Sequence, residues 1–471
     1  MYRKALPLLI IMLVMVSVTY AQGPEPGSDS IGDPYYPGQG NGGYDTQHYT
    51  LDLAADVEAN TLAGTVTIEA VATQDLSAFN LDFLGFEISE ITVNDTAATY
   101  TRDGNELTIT PAEPLTSGAA FTVAVSYSGQ PTLISSESLH TDLGWDNYGT
   151  GSYVASEPAG SAGWYPVNDH PLDKASYSFR ITVPKPYVVA MNGVPQDPID
   201  NGDSTTYVSE MAEPIASYLV TVNIDDFAVQ TQEGPDGLLI RNYFPPEIAD
   251  QAEVTFEKTP QMIEFYNSVF GPYPFDAYGV VVADVDLGFA LETQTISLFA
   301  RNWIDPSGGS EIAVAHELAH QWYGDSVSLS SWDEIWLNEG FATYASWLWV
   351  EHQDGPDALA RTVEEAYLGL ASFDGDIAPG EAPPTDLFNV GVYYRGALAL
   401  HVLRLTIGDE AFFELMQTYA EEYQYGNATI EGFVSLAEEI SGQDLAAMFE
   451  SWLHDEVMPD IPEMNLSEAG A

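Results

Sequence analysis

Cysteine is absent from the 471 residues, which excludes disulfides, thiolate metal ligands, a cysteine nucleophile and a lipidated cysteine anchor. Any metal would have to be held by histidine and carboxylate. Basic residues are also scarce. Twelve Lys and Arg stand against 71 Asp and Glu, a net charge of −59, and lysine occurs only at Lys4, Lys174, Lys185 and Lys258. A field of that sign repels phosphate backbones and anionic lipid, so nucleic acid is not an expected partner. Beyond the N-terminus no apolar run is long enough to cross a bilayer, so no stable membrane insertion is expected of the rest of the chain. Core material is plentiful, with 45% hydrophobic and 12% aromatic residues, in a length that allows roughly two to four domains.

The N-terminus reads as a targeting segment. Arg3 and Lys4 precede an apolar run from Leu8 to Val18, and Thr19, Tyr20 and Ala21 form a small-x-small site, the layout of a secretory signal cleaved after Ala21. The expectation is a secreted or extracytoplasmic protein, tethered if residues 1–21 stay attached. Loss of Arg3 and Lys4 would make the remaining chain still more acidic. Such a composition fits either ordinary solubility or adaptation to high salt, where screening removes self-repulsion.

Residues 22–43 are rich in Gly, Pro and Ser and read as an irregular arm. From 44 to 243 the pattern alternates with period two: Val66, Ile68 and Ala70 against Thr65, Thr67 and Glu69, then Phe121, Val123 and Val125, then Tyr177, Phe179 and Ile181. This predicts an all-β domain, a sandwich or saddle of sheets. From 244 to 471 the period lengthens. A buried strand over 280–285 and helices over 312–323, 357–370, 396–405, 410–423 and 445–453 are expected, with Pro260 interrupting or starting a helix. The fold class is multidomain α+β, with a mainly helical second half.

In the first of these helices the sequence reads His316, Glu317, Leu318, Ala319, His320. Spacing of i to i+4 puts both imidazoles on one face, with Glu317 beside them and Ile312, Val314, Leu318 and Ala319 expected as apolar backing. A catalytic zinc site needs a third protein ligand from another element and an open position for water. Eighteen residues separate His320 from Glu339, which lies in a segment, Trp336 to Tyr344, that reads as a second helix returning past the first. His316, His320 and Glu339 thus form a His₂Glu ligand set for one Zn²⁺, leaving Glu317 to take a proton from the bound water. The other histidines, His48, His140, His170, His352, His401 and His454, lack ligand spacing, and His401 inside an apolar helix reads as a core residue.

These residues resemble the gluzincin zinc aminopeptidases, the family of aminopeptidase N and leukotriene hydrolase. The likeness rests on HELAHQWYGDSV from His316 to Val327 and WLNEGFATY from Trp336 to Tyr344. Upstream, Trp164 to Pro166 and Asp169 to Ala175 resemble the signature of the family's N-terminal domain, and Gly271 to Phe275 the entry to its catalytic region. The resemblance implies a thermolysin-like peptidase domain after the β domain. It also implies Glu292 as the glutamate that binds a substrate's free amine. The family motif GAMEN is altered here, because Phe289 stands for the glycine, Leu291 for the methionine and Thr293 for the asparagine. Glu157 stands where relatives carry Gln, as a second amine contact. Tyr393, in Tyr393-Tyr394-Arg395-Gly396, matches the tyrosine that stabilises the oxyanion, with Tyr394 as its neighbouring competitor.

The function implied is hydrolysis of single residues from the free N-terminus of peptides. Two alternatives stay beside it. A thermolysin-like endopeptidase would share the zinc ligands but not the amine-binding carboxylate, and a silent binding or scaffold module would keep the fold alone.

Overall fold

The computed structural model describes residues 23–373 and 378–467, so the expected signal segment, residues 1–21, lies outside the described residues. The first half is built from sheets. In a nine-stranded sheet, strand Tyr44–Asp56 pairs antiparallel with Thr61–Ala72 and parallel with Ala175–Pro184. Period-two alternation works as the sequence implies: Tyr49, Leu51, Val66, Ile68, Phe179 and Ile181 all point into one core and are buried. A four-stranded sheet around Leu76–Asp82 packs on this core. A five-stranded sheet, which includes Thr141–Asn147, Ser152–Ala155 and Val222–Asp225, carries the chain toward the second half.

Sheet continuity runs across residue 244, where the composition changes from strand to helix. Strands Ala228–Glu233 and Leu239–Phe244 join Ala277–Ala283 and Ser297–Ala300 in one four-stranded sheet. Leu239–Phe244 pairs parallel with Ala277–Ala283, which is buried along its whole length, as a strand covered on both faces must be. By sheet partnership the second half therefore begins near residue 228.

Nine helices follow among the described residues: α1 Ala249–Thr255, α2 Thr259–Phe270, α3 Glu311–Ala319, α4 Trp336–Asp354, α5 Pro356–Ala371, α6 Gly396–Ile407, α7 Asp409–Glu422, α8 Ile430–Ser441 and α9 Ala446–Leu453. Pro260 sits in the first turn of α2, where its missing N–H costs nothing. α4 is buried from Trp336 to Trp349 without a break, the mark of a helix enclosed on every side. It meets α6 closely at Gly340 and Gly396, where a Cβ on Gly340 would lie 3.1 Å from the Gly396 backbone, so a larger residue would push the two helices apart by a few tenths of an ångström.

The Gly- and Pro-rich arm, expected to be irregular throughout, contributes a short strand, Glu25–Pro26, that pairs parallel with Leu76–Asp82, and the rest of it is anchored. The buried Asp33 carboxylate accepts from the Trp332 N–H at 2.9 Å, the Ser331 hydroxyl at 3.1 Å and the Tyr35 and Tyr36 N–H groups, and it lies 3.1 Å from His170 Nε2. Burial alone would raise its pKa, but these donors, His170 first, hold it down at about 2. One arm residue thereby ties both halves together.

Candidate active site

α3 begins at Glu311, whose carboxylate receives Lys258 Nζ at 2.7 Å and the Trp349 indole N–H at 2.8 Å. Val314, Leu318 and Ala319 are buried behind the helix as expected, but Ile312 is 44% exposed and lines the cleft. It lies one helical turn before His316 and so shares that residue's open face instead of the backing face. α4 returns past α3, and the Tyr266 hydroxyl joins the two, 3.0 Å from the Ala315 carbonyl and 3.2 Å from that of Ala345.

This packing brings together the residues the spacing selects. His316 Nε2 lies 3.1 Å from His320 Nε2 and 3.1 Å from Glu339 Oε2, and His320 Nε2 lies 3.4 Å from the same oxygen. The far nitrogen of His320, Nδ1, is 3.0 Å from the Tyr323 carbonyl. A carbonyl only accepts, so Nδ1 carries a proton, and in the neutral imidazole Nε2 keeps the lone pair that faces the cluster. Donors around a tetrahedral ion with bonds of about 2.1 Å lie roughly 3.4 Å apart, so the three atoms fit a small divalent cation. The charge fits too. Burial opposes an imidazolium at His320, but Glu292, Glu339 and Glu317 outweigh it and push its pKa well above the ordinary range. The cluster thus calls for positive charge at its centre. Glu339 is driven the other way: burial would raise it, yet His320 and His316 hold it at about 2, an ionised carboxylate.

Glu317 is buried beside them, with an oxygen within 4.8 Å of atoms of both Glu292 and His320. Burial and the neighbouring carboxylates push its pKa well up in the chain alone; a divalent cation at the cluster would act in the opposite sense.

Tyr393 lies on a wide turn, Gly391–Arg395, where the helix leading into α6 opens to π geometry. Its ring stacks on His316 at 5.9 Å with an interplanar angle of 25°, while Tyr394 is turned outward, 45% exposed, toward Trp347. The turn is held by the buried Arg395, which donates to the carbonyls of Trp452, Ser451 and Asp455. Burial first, then the surrounding carboxylates, keeps the Tyr393 phenol protonated.

Glu157 follows strand Ser152–Ala155 of the first half, and Glu292 sits in a hairpin closed by the Leu291–Leu298 bridge. Oxygens of Glu157, Glu292 and Glu339 lie within 4.8 Å of one another. Oε1 of Glu157 and Oε1 of Glu292 are buried with no protein partner. Burial raises both pKa values, Glu157 most strongly. All seven residues, Glu157, Glu292, His316, Glu317, His320, Glu339 and Tyr393, line one cavity of about 360 Å³.

The chain matches the Peptidase M1 N-terminal domain over residues 45–219 and the Peptidase family M1 domain over 254–452. A solved M1 zinc metallopeptidase from Deinococcus radiodurans superposes with a TM-score of 0.84 at 30% identity, covering 92% of this chain and 98% of that one. This chain belongs to peptidase family M1. A mutant of the same Deinococcus M1 peptidase, bound to a Tyr-Ser-Ala substrate, matches equally, with a TM-score of 0.84 at 30% identity over 92% and 99% of the two chains. Among curated M1 relatives, Aminopeptidase M1 of Arabidopsis thaliana is 27% identical over 64% of this chain and 36% of its own length. Endoplasmic reticulum aminopeptidase 1 of Homo sapiens is 25% identical over 82% and 44%. The M1 chain thus spans less than half the length of these curated relatives.

Two residues of this M1 site carry no signal in the sequence beyond belonging to a motif. Lys174, from the first half, is buried and donates to the carbonyls of Asp325 and Ser326 and to Ser328 Oγ at 2.7–3.1 Å. It thereby fixes the turn whose Tyr323 carbonyl orients His320. Gln321 reaches from the end of α3 to the hairpin of Glu292. Pairings so distant in sequence leave no periodicity to find.

Proposed function

We propose that this chain is a zinc aminopeptidase that removes single residues from the free N-terminus of peptides, and that it acts outside the cytoplasm. One observation carries the reading: a His₂Glu cluster and two buried carboxylates, Glu157 and Glu292, each with one oxygen that has no protein partner, share one cavity. Export is supported by the charged, apolar and small-residue order of residues 1–21.

His316, His320 and Glu339 would hold Zn²⁺, which when bound supplies Lewis acidity toward water and the scissile carbonyl. Glu317 takes the proton of the attacking water and passes it to the departing amine. The Tyr393 hydroxyl donates to the oxygen that gains charge as the carbonyl carbon becomes tetrahedral. Glu292, with Glu157, accepts from the substrate ammonium and so sets one residue between that group and the bond cut.

Metal analysis with a panel of aminoacyl chromogenic substrates, with and without chelator, tests the reading. Expected are about one zinc per chain, activity lost to chelator and restored by zinc, and no cleavage of the N-acetylated substrates. Equal hydrolysis of acetylated and free peptides would point to an endopeptidase, and a metal-free, inactive protein to a scaffold role.

A further inference from the structure

Gln321 follows the ligand His320 directly and is fully buried. Its side chain does not return to its own helix. Nε2 donates to the Glu292 carbonyl at 3.0 Å, and Oε1 accepts the Thr295 N–H at 2.8 Å. The Tyr273 hydroxyl lies 3.1 Å from the same oxygen. One carboxamide therefore meets both sides of the turn that presents Glu292.

That turn has unusual demands. Thr295 has φ +67°, a left-handed conformation that a β-branched residue adopts only when its surroundings enforce it. Here several do. The Gly193 N–H donates to Thr295 Oγ1 at 2.8 Å and Asn192 Nδ2 to the Gln294 carbonyl at 2.7 Å, both from the first half of the chain. On the side facing α3, Gln321 supplies the contact. A planar amide has a donor and an acceptor at a fixed separation, so meeting two backbone groups of one turn leaves it little rotational slack.

We propose that Gln321 is a positioning residue for N-terminal recognition. Its carboxamide fixes the interval between the His316–His320 pair and the Glu292 carboxylate, and thereby the length of substrate that fits between ammonium and scissile bond. The inference rests on Glu292 as the ammonium acceptor. It assigns Gln321 no contact with substrate and no part in holding the metal.

The test uses the zinc-loaded protein with Gln321→Met, which keeps the volume and loses both hydrogen bonds, and Gln321→Asn, which keeps the amide one methylene short. Three quantities are read: zinc affinity by chelator competition, binding of L-tryptophan by calorimetry, and kcat and KM separately on Tyr-Ser-Ala. Both variants are expected to keep zinc affinity within about threefold, while L-tryptophan binding weakens and KM rises by about tenfold or more, as loss of buried hydrogen bonds implies. If Gln321→Met does not fold, Gln321→Asn decides. Unchanged L-tryptophan binding and KM in a folded variant would overturn the proposal, as would a loss of zinc affinity equal to the loss of L-tryptophan affinity, which would make Gln321 a support of α3 alone. Glu292→Gln separates the two levels. If it weakens L-tryptophan binding and the Gln321 variants do not, only the brace is wrong; if it leaves that binding unchanged, the ammonium reading falls and the brace with it.

Discussion

The two ends of the cleft are built in opposite ways. At the His₂Glu end the donors come from two helices within one short stretch of sequence, and each lies within about hydrogen-bonding distance of another. At the carboxylate end Glu157 and Glu292 come from different halves of the chain, and one oxygen of each is buried without a protein partner. Burying an unpaired carboxylate is costly, so the second end is tolerable as a receptor for a cation brought from outside, whereas the first is a ready-made ligand set. On the proposed function, the first end makes the chemistry possible and the second chooses where along a peptide it happens.

Breaking the reactive end should have the largest effect. Glu317→Gln removes the proposed base and leaves the three ligand side chains in place. Turnover is expected to fall by about 10³-fold or more, with zinc content and thermal midpoint close to those of the unaltered protein. A rate within tenfold of the original would sink the assignment.

At the other end the expected loss is smaller and of a different kind. Glu292→Gln should lower kcat/KM on free-amine substrates by about a hundredfold, much of it in KM, because a buried charge pair loses one member. Glu157→Gln should cost only about tenfold, since Glu157 is the second of the two contacts and stands where the resemblance places a Gln. Equal losses from the two would mean that neither carboxylate leads.

How far each end was legible in the sequence follows from the same contrast. The spacing of His316 and His320 on one helix face, and the return of α4 to Glu339, are local patterns that periodicity captures. So are the alternating strands around Val66 and Phe179. Ile312 shows the limit of apolarity as a guide to burial: its i to i+4 relation to His316 places it in the cleft. The arm, irregular by composition, is pinned through Asp33 by a buried His170, a pairing that no ligand spacing announces. Glu157, Glu292 and Tyr393 were reached through family resemblance; spacing alone gives no reason for three such distant residues to meet. Gln321 and Lys174 lie within the resembling motifs, but neither route gives their role, because a brace is defined by what it touches.

Lys174 tests whether the His₂Glu end is self-contained. Its three hydrogen bonds reach the turn after His320 from the first half of the chain, so the ligand set borrows its rigidity across the boundary. Lys174→Met should destabilise the protein by about 3 kcal/mol, because two carbonyls and a hydroxyl lose a buried amine donor. It should also weaken zinc binding by about tenfold, as is usual when a group orienting a ligand is lost. Chemical denaturation and chelator competition measure the two. Lower stability with unaltered zinc affinity would mean that α3 and α4 hold the ligands unaided.

The smallest effect concerns the scaffold both ends share. His401 on α6 is buried, with Nδ1 3.2 Å from the Tyr344 hydroxyl of α4, the helix that carries Glu339. Burial, with Arg404 adding to it, pushes its pKa down to about 4. In the unfolded chain the ordinary value is about 6.5, so as pH falls the unfolded state takes up this proton first. Stability should therefore be full above pH 6.5 and decline as pH drops toward 4, by about 1–2 kcal/mol between pH 7 and pH 5. A His401→Gln protein should show that much less loss over the same interval, even if its stability at pH 7 is lower. Comparing unfolding free energies of the two zinc-free proteins at both pH values isolates the scaffold from the ligands. Parallel declines would place the acid sensitivity elsewhere, whereas a flatter profile for the variant would locate it between α4 and α6.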